Sequence, residues 1–169
     1  IEAFGVNSHF QDVAERFARA GYCAIVPDLY HGKVYEYSDF ENAIGHLKTL
    51  KDDLAMQEAG LAIAELHKRP EVRSDAIGAV GFCMGGRFAF LANAVHADKL
   101  GASVAFYGGG IAPDQDPAGR QPLLHLVDQM RAPLLLLYGA DDNSITPEEH
   151  GRIATALSAA KKRYTLTLF

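Results

Sequence analysis

Residues 79–86 read Ala79-Val80-Gly81-Phe82-Cys83-Met84-Gly85-Gly86, an apolar run that ends in Gly-x-Cys-x-Gly-Gly and passes into helical spacing. The order strand, tight turn, helix is the nucleophile-elbow pattern, with cysteine where serine usually stands. Its spacing has a mechanical reason. A nucleophile on a strained turn requires glycine two residues before and two after, Gly81 and Gly85, so that strand and helix backbones can approach closely. The next backbone N–H, that of Met84, then points at a developing oxyanion, and the helix N-terminus favours thiolate over thiol. The competing reading of Cys83 is a small buried hydrophobe in a glycine-rich turn.

Outward from this turn, short apolar runs alternate with helical spacing. Ala76 to Phe82, Ala102 to Tyr107, Leu134 to Tyr138 after Pro133, and Tyr164 to Phe169 read as strands, with helices over Gly85 to Val95 and from Pro147 to about Ala160. Gly108 to Met130 is a surface excursion rich in Gly, Pro and Asp, with a short helix around Leu123 to Met130. Toward the N-terminus, Ser8-His9-Phe10-Gln11 forms a capping box, and Phe10, Val13, Ala14, Phe17 and Ala18 share one helical face until Gly21. Tyr22 to Val26 reads as a buried strand, which places Cys23 in the core. Pro27 closes it, and Asp28 to Tyr37 is a loop of the kind that carries function. Ser38-Asp39-Phe40-Glu41 is a second capping box and opens a helical stretch that runs to Lys68 with a break near Thr49 to Asp52. The pattern is α/β, a mostly parallel sheet with helices on both faces. Residues 1–169 read as one domain, partial because both ends are abrupt.

Sixteen basic against 21 acidic residues give a net charge of −5 without a basic run or stripe, which argues against nucleic acid and anionic membrane surfaces as partners. The two cysteines lie in no C-x-x-C or Cys/His spacing, so neither a disulfide framework nor a zinc site is expected. No apolar run approaches the roughly 20 residues of a membrane span. The expectation is a cytoplasmic monomer with a small-molecule substrate and neither metal nor organic cofactor.

An elbow requires an acid beyond a later strand, and then a histidine. Gly139-Ala140-Asp141-Asp142-Asn143-Ser144-Ile145 follows the strand over 134–138 and supplies two aspartates. Adjacent residues leaving a strand point to opposite sides, and Ile145 packing the loop down would place Asp142 inward. Either aspartate could instead bond to the turn's own backbone. Of seven histidines only His150 follows Asp142, on the ensuing helix, too near the acid and along a surface face. His31 could contribute from the rim loop, but the base expected from the elbow is not in this chain.

Gly81-Phe82-Cys83-Met84-Gly85-Gly86, with Phe4-Gly5-Val6-Asn7, Pro27-Asp28-Leu29-Tyr30 and Gly139-x-x-Asp142-x-x-Ile145, resembles the dienelactone hydrolase family of α/β-hydrolases along the whole chain. The resemblance implies an α/β-hydrolase fold with Cys83 as nucleophile and Asp142 as triad acid. Glu2, on its own a terminal surface carboxylate, then matches a family glutamate that lies beside the nucleophile and sets its protonation. Ala3 matches the second backbone oxyanion donor, beside Met84. The family's histidine follows the strand after the acid, in a loop that would begin beyond Phe169. Best-known members carry an arginine after Asp-Leu-Tyr to hold a substrate carboxylate. Here the stretch is His31-Gly32-Lys33, where Lys33 could act as a point charge without the bidentate fork, and His31, Lys33 and Tyr35 are the substrate-contact candidates. The implied function is hydrolysis of a carboxylic ester or lactone through a thioester on Cys83. The alternatives are a thioesterase or broad carboxylesterase, and a non-catalytic member that binds a small electrophile or senses oxidants through Cys83.

Overall fold

The computed structural model describes residues 1–116 and 118–169, and the chain forms two compact units, Ile1–Ser74 and Asp75–Phe169. The second unit holds the sheet. Strands β1 (Gly78–Phe82), β2 (Ala102–Phe106), β3 (Leu134–Tyr138) and β4 (Tyr164–Leu168) lie in the order β1-β2-β3-β4, every neighbouring pair parallel. Parallel neighbours require crossovers. Helix α4 (Met84–Val95) makes the first, and α5 (Pro147–Ala159) the last. The α/β class read from the periodicity is the observed one, and each of these four strands lies within two residues of its expected bounds.

Helix α4 packs against β1 and β2, and every residue from Met84 to Ala94 is buried. A helix apolar on all sides but for Arg87 and Asn93 belongs inside, and its one amide is satisfied there. Asn93 donates from Nδ2 to the Ala132 carbonyl at 3.0 Å and accepts from the Ala132 N–H at 3.2 Å, so the helix end is stitched to the segment that enters β3. Helix α5 is capped by Thr146, whose hydroxyl accepts from the Glu149 N–H at 3.3 Å, with Pro147 in the first turn. The short helix expected near Leu123 is a 3-10 turn over Leu124–Gln129.

The first unit contains helices α1 (Ser8–Arg19), α2 (Phe40–Leu47) and α3 (Asp52–His67), the last two divided at the expected break. Their caps differ from the sequence reading. Asn7 caps α1, its side chain accepting from the Phe10 N–H at 3.2 Å, so Ser8 is already helical. Asp39 precedes α2 without a side-chain capping bond and accepts from Asn42 Nδ2 at 2.7 Å instead. A larger correction concerns residues 22–26. They form no strand, Tyr22 is 64% exposed, and Cys23 is exposed rather than core. An apolar run becomes a strand only through a ladder partner for its backbone groups, and none pairs with it among the described residues. No described helix is long and apolar enough to cross a membrane.

Candidate active site

Cys83 stands between β1 and α4 with φ +54° and ψ −122°, a left-handed backbone that costs a residue bearing a side chain about 1–3 kcal/mol. Hydrogen bonds hold it there. Its N–H donates to the Phe106 carbonyl at 3.0 Å, and its carbonyl accepts from the N–H groups of Gly86 and Arg87 at 2.9 and 3.3 Å. A Cβ on Gly81 would fall on the Gly85 carbonyl, and one on Gly86 would stand 2.7 Å from the Phe106 carbonyl oxygen and 2.8 Å from the Gly108 Cα. Gly86 is therefore required as well as the flanking pair expected from the motif. Cys83 is half-buried and Met84, the first residue of α4, is buried.

On the neighbouring strand, Phe106 stacks on Phe82 with ring centroids 4.8 Å apart, and Tyr107 follows with φ +38° and 40% exposure. Two non-glycine residues with left-handed backbones thus sit at the carboxyl ends of adjacent strands, where parallel sheets bind ligands. Nothing in the sequence signals the strain at Tyr107.

The acid turn follows β3. Asp142 is half-buried and Asp141 exposed. The Asp142 N–H donates to the Gly139 carbonyl at 3.3 Å, and its Oδ1 accepts from the Ser144 N–H at 2.8 Å, so the local backbone bond weighed for this turn is present on Asp142. Ile145 is buried beside Gly109. Since β2 separates β1 from β3, the cysteine and aspartate turns leave the sheet roughly 10 Å apart, two strand spacings, which is a gap one imidazole can bridge.

In the first unit, Ala3 is buried and Glu2 half-buried. The Ala3 carbonyl accepts from the Tyr30 hydroxyl at 2.9 Å, and the Tyr35 N–H donates to the Phe4 carbonyl at 3.1 Å. Asp28 shapes the loop that supplies these groups, its carboxylate accepting from the N–H groups of Tyr30 at 3.1 Å and Gly32 at 2.6 Å. The Pro-Asp-Leu-Tyr block thus holds the Ala3-Phe4 segment. Of the rim candidates, Lys33 and Tyr35 come together, Nζ lying 5.3 Å from the Tyr35 ring centre. They line an open groove of about 760 Å³ with Asp39, Asn42 and His46, and the Tyr35 hydroxyl is 3.1 Å from His46 Nδ1. His31 turns elsewhere, its Nε2 2.7 Å from Glu58 Oε1.

His150 corrects its expected surface placement. Its ring is buried against that of Tyr138, centroids 4.4 Å apart, because residues 150, 153 and 157 recur at helical spacing on the inward face of α5. Burial, followed by the charge of Glu149, pushes the Tyr138 phenol above its ordinary range. No group of three His, Cys, Asp or Glu side chains among the described residues could hold a metal ion.

The model of the dienelactone hydrolase family matches residues 1–169. A Synechocystis protein named "Putative carboxymethylenebutenolidase" is 32% identical over 163 residues, covering 93% of this chain and 65% of that protein. A Bradyrhizobium protein named "Probable 2-oxo-3-(5-oxofuran-2-ylidene)propanoate lactonase" is 29% identical, covering 98% of this chain and 66% of that protein. The chain therefore spans about two thirds of the length of these curated relatives. Among solved structures, a "Putative Dienelactone Hydrolase" from Klebsiella pneumoniae superposes with a TM-score of 0.88 at 29% identity, over 99% of this chain and 70% of that one.

Proposed function

The chain belongs to the dienelactone hydrolase family, and from that premise we propose that it is the core of a hydrolase that opens carboxylic esters or lactones through a thioester on Cys83. The observation that carries this reading is the Cys83 backbone at φ +54°, held between β1 and α4 by close glycine contacts. Strain of this kind persists where the surroundings over-determine it, and it concentrates at functional sites. The likeness to the Klebsiella structure over 99% of the chain supports taking residues 1–169 as part of one hydrolase domain.

In the proposed cycle the Cys83 thiolate attacks the acyl carbon, and the carbonyl oxygen, as it gains charge, accepts from the backbone N–H of Met84 and, as the family resemblance implies, from that of Ala3. Collapse breaks the acyl C–O bond, and the departing alkoxide takes a proton from a histidine oriented by the second carboxylate oxygen of Asp142. The same histidine then takes a proton from water, which attacks the thioester and releases the carboxylic acid and the thiolate. Glu2 sets the protonation of the thiol, as the family resemblance implies. The family resemblance puts that histidine after the strand that follows the acid, beyond Phe169. Of the seven within residues 1–169, His31 is engaged by Glu58, His46 by Tyr35, and His67 and His125 by backbone carbonyls. His150 is buried on Tyr138, His9 stands edge-on to Phe10 on α1, and His96 lies at the end of α4 far from Cys83. Lys33 is the candidate for an anionic group on the substrate.

Intact-protein mass spectrometry during turnover of a p-nitrophenyl ester and of a dienelactone tests this. The expected result is an acyl adduct on the peptide containing Cys83 and loss of turnover in Cys83→Ala. Turnover retained by Cys83→Ala would overturn the reading, and an adduct formed without turnover would favour a binder or sensor.

A further inference from the structure

One stretch of backbone is fastened to both of the turns proposed to carry nucleophile and acid. We propose that Arg87 is a positioning residue that fixes the spacing between the Cys83 and Asp142 turns by gripping the backbone at Gly110 and Gln121. The inference rests on the reading of Cys83 as nucleophile and Asp142 as acid.

Arg87 lies one helical turn after Cys83, bonded to it through the backbone, and it is fully buried. Its guanidinium donates from Nη1 to the Gly110 carbonyl and from Nη2 to the Gln121 carbonyl, the latter at 3.1 Å. One planar fork therefore holds two points of the excursion after β2 together, a geometry that an ammonium cannot reproduce. Gly110 makes room for the Asp116 carboxylate, with the guanidinium at ordinary contact distance. Its φ is +75°, and a Cβ there would stand 2.7 Å from Asp116 Oδ2 and 3.5 Å from Arg87 Nη1. Asp116 ties the loop to itself, accepting from the Ala118 N–H at 2.8 Å and from Arg120 Nη2 at 3.2 Å.

The same stretch is held from the other side by the helix that follows the acid turn. Buried Glu149 accepts the Ala112 N–H at 2.9 Å, and Arg152 Nε donates to the Ala112 carbonyl at 2.8 Å. Ile145, three residues after Asp142, packs beside Gly109. Residues 109–112 thus bear on α4 through Arg87 and on the acid turn and α5 through Ile145, Glu149 and Arg152. A buried charge is a poor source of net stability, since an apolar residue of similar volume often does as well. Two carbonyls held at a fixed distance from the nucleophile turn are what the guanidinium adds.

The test compares the parent with Arg87→Met, Arg87→Lys and Glu149→Ala in the intact protein. Rates are normalised to active sites titrated by the p-nitrophenolate burst, and thermal unfolding is recorded beside them. Misplacement near 1 Å costs on the order of 100-fold in rate. Arg87→Met is accordingly expected to lower kcat by about 100-fold with KM within about threefold, and to displace the pH profile of kcat/KM. Arg87→Lys, which can keep one carbonyl, should fall between it and the parent. If Arg87→Met does not fold, Arg87→Lys and Glu149→Ala decide the matter. Both grip one tether, so their losses should combine to clearly less than their product. Parental kcat per titrated site in Arg87→Met or Arg87→Lys, an unmoved pH profile, or fully multiplicative losses would overturn the role of Arg87. Turnover surviving in Cys83→Ala would instead overturn the nucleophile reading beneath it.

Discussion

At the scale of single residues, the assignments that decide the chemistry are one of two neighbouring aspartates and one of two cysteines. Asp142 is half-buried and Asp141 exposed, and the Ser144 N–H fixes Oδ1 of Asp142 while Oδ2 can serve the histidine. Asp142→Asn should lower kcat by roughly 10³- to 10⁴-fold by leaving the imidazole in the wrong tautomer, whereas Asp141→Asn should stay within about threefold. Steady-state kinetics of the two variants check this, and the reverse ranking would reassign the acid. The two cysteines are told apart by activity rather than by labelling, because Cys23 is exposed and Cys83 half-buried, so accessibility alone does not single out Cys83. Iodoacetamide should modify both, and only modification of Cys83 should abolish turnover. Peptide mapping against residual activity, repeated in Cys23→Ser, separates them, and equal loss of activity on alkylating Cys23 would count against Cys83.

At the scale of elements, the Gly86 contact with the β2 end makes a direct prediction. Gly86→Ala places a methyl against the Phe106 carbonyl oxygen and the Gly108 Cα, where neither backbone can retreat without moving a strand. It should destabilise by about 1–3 kcal/mol, the ordinary cost of overpacking, read as a lowered urea midpoint at unchanged slope. The elements of the second unit were legible because β2 and β3 are short apolar runs bounded by Gly or Pro and β4 alternates, and Leu134–Tyr138 is identical in sequence reading and structure. Residues 22–26 show the same local pattern without the same outcome, since apolar character is a property of the run but a ladder is a property of two runs. The cap of α1 was displaced by one residue because Asn7 and Ser8 are both good N-cap residues. Of the candidate site, the Gly-x-Cys-x-Gly-Gly motif and the aspartate turn could be found from sequence. Arg87, Glu149 and Tyr107 could not, because their significance lies in contacts made by residues more than 20 positions away, or in a backbone angle.

At the scale of the whole molecule, stability should respond to acid through the loop that the buried arginine grips. Burial pushes the Asp116 carboxyl up, but the Arg120 guanidinium and the N–H groups of Arg120 and Ala118 outweigh it and hold the group below its ordinary range. A carboxyl lowered on folding contributes stability above its unfolded value near 3.9 and loses it as pH falls through the lower, folded one. Asp116→Asn should therefore be less stable than the parent at pH 7, with the gap closing below about pH 4. Urea unfolding from pH 7 to pH 3 would show this, and a gap independent of pH would contradict it. The left-handed backbone of Cys83 has a consequence for how such a protein can change over generations. A glycine at that position would relax the turn while a cysteine holds it under tension, so the folded state and the proposed reaction make opposite demands on one residue. Cys83→Gly should unfold at a higher urea concentration than Cys83→Ala, by an amount worth about 1 kcal/mol. A lineage released from selection for turnover would then drift toward glycine there, gaining stability as it lost its chemistry.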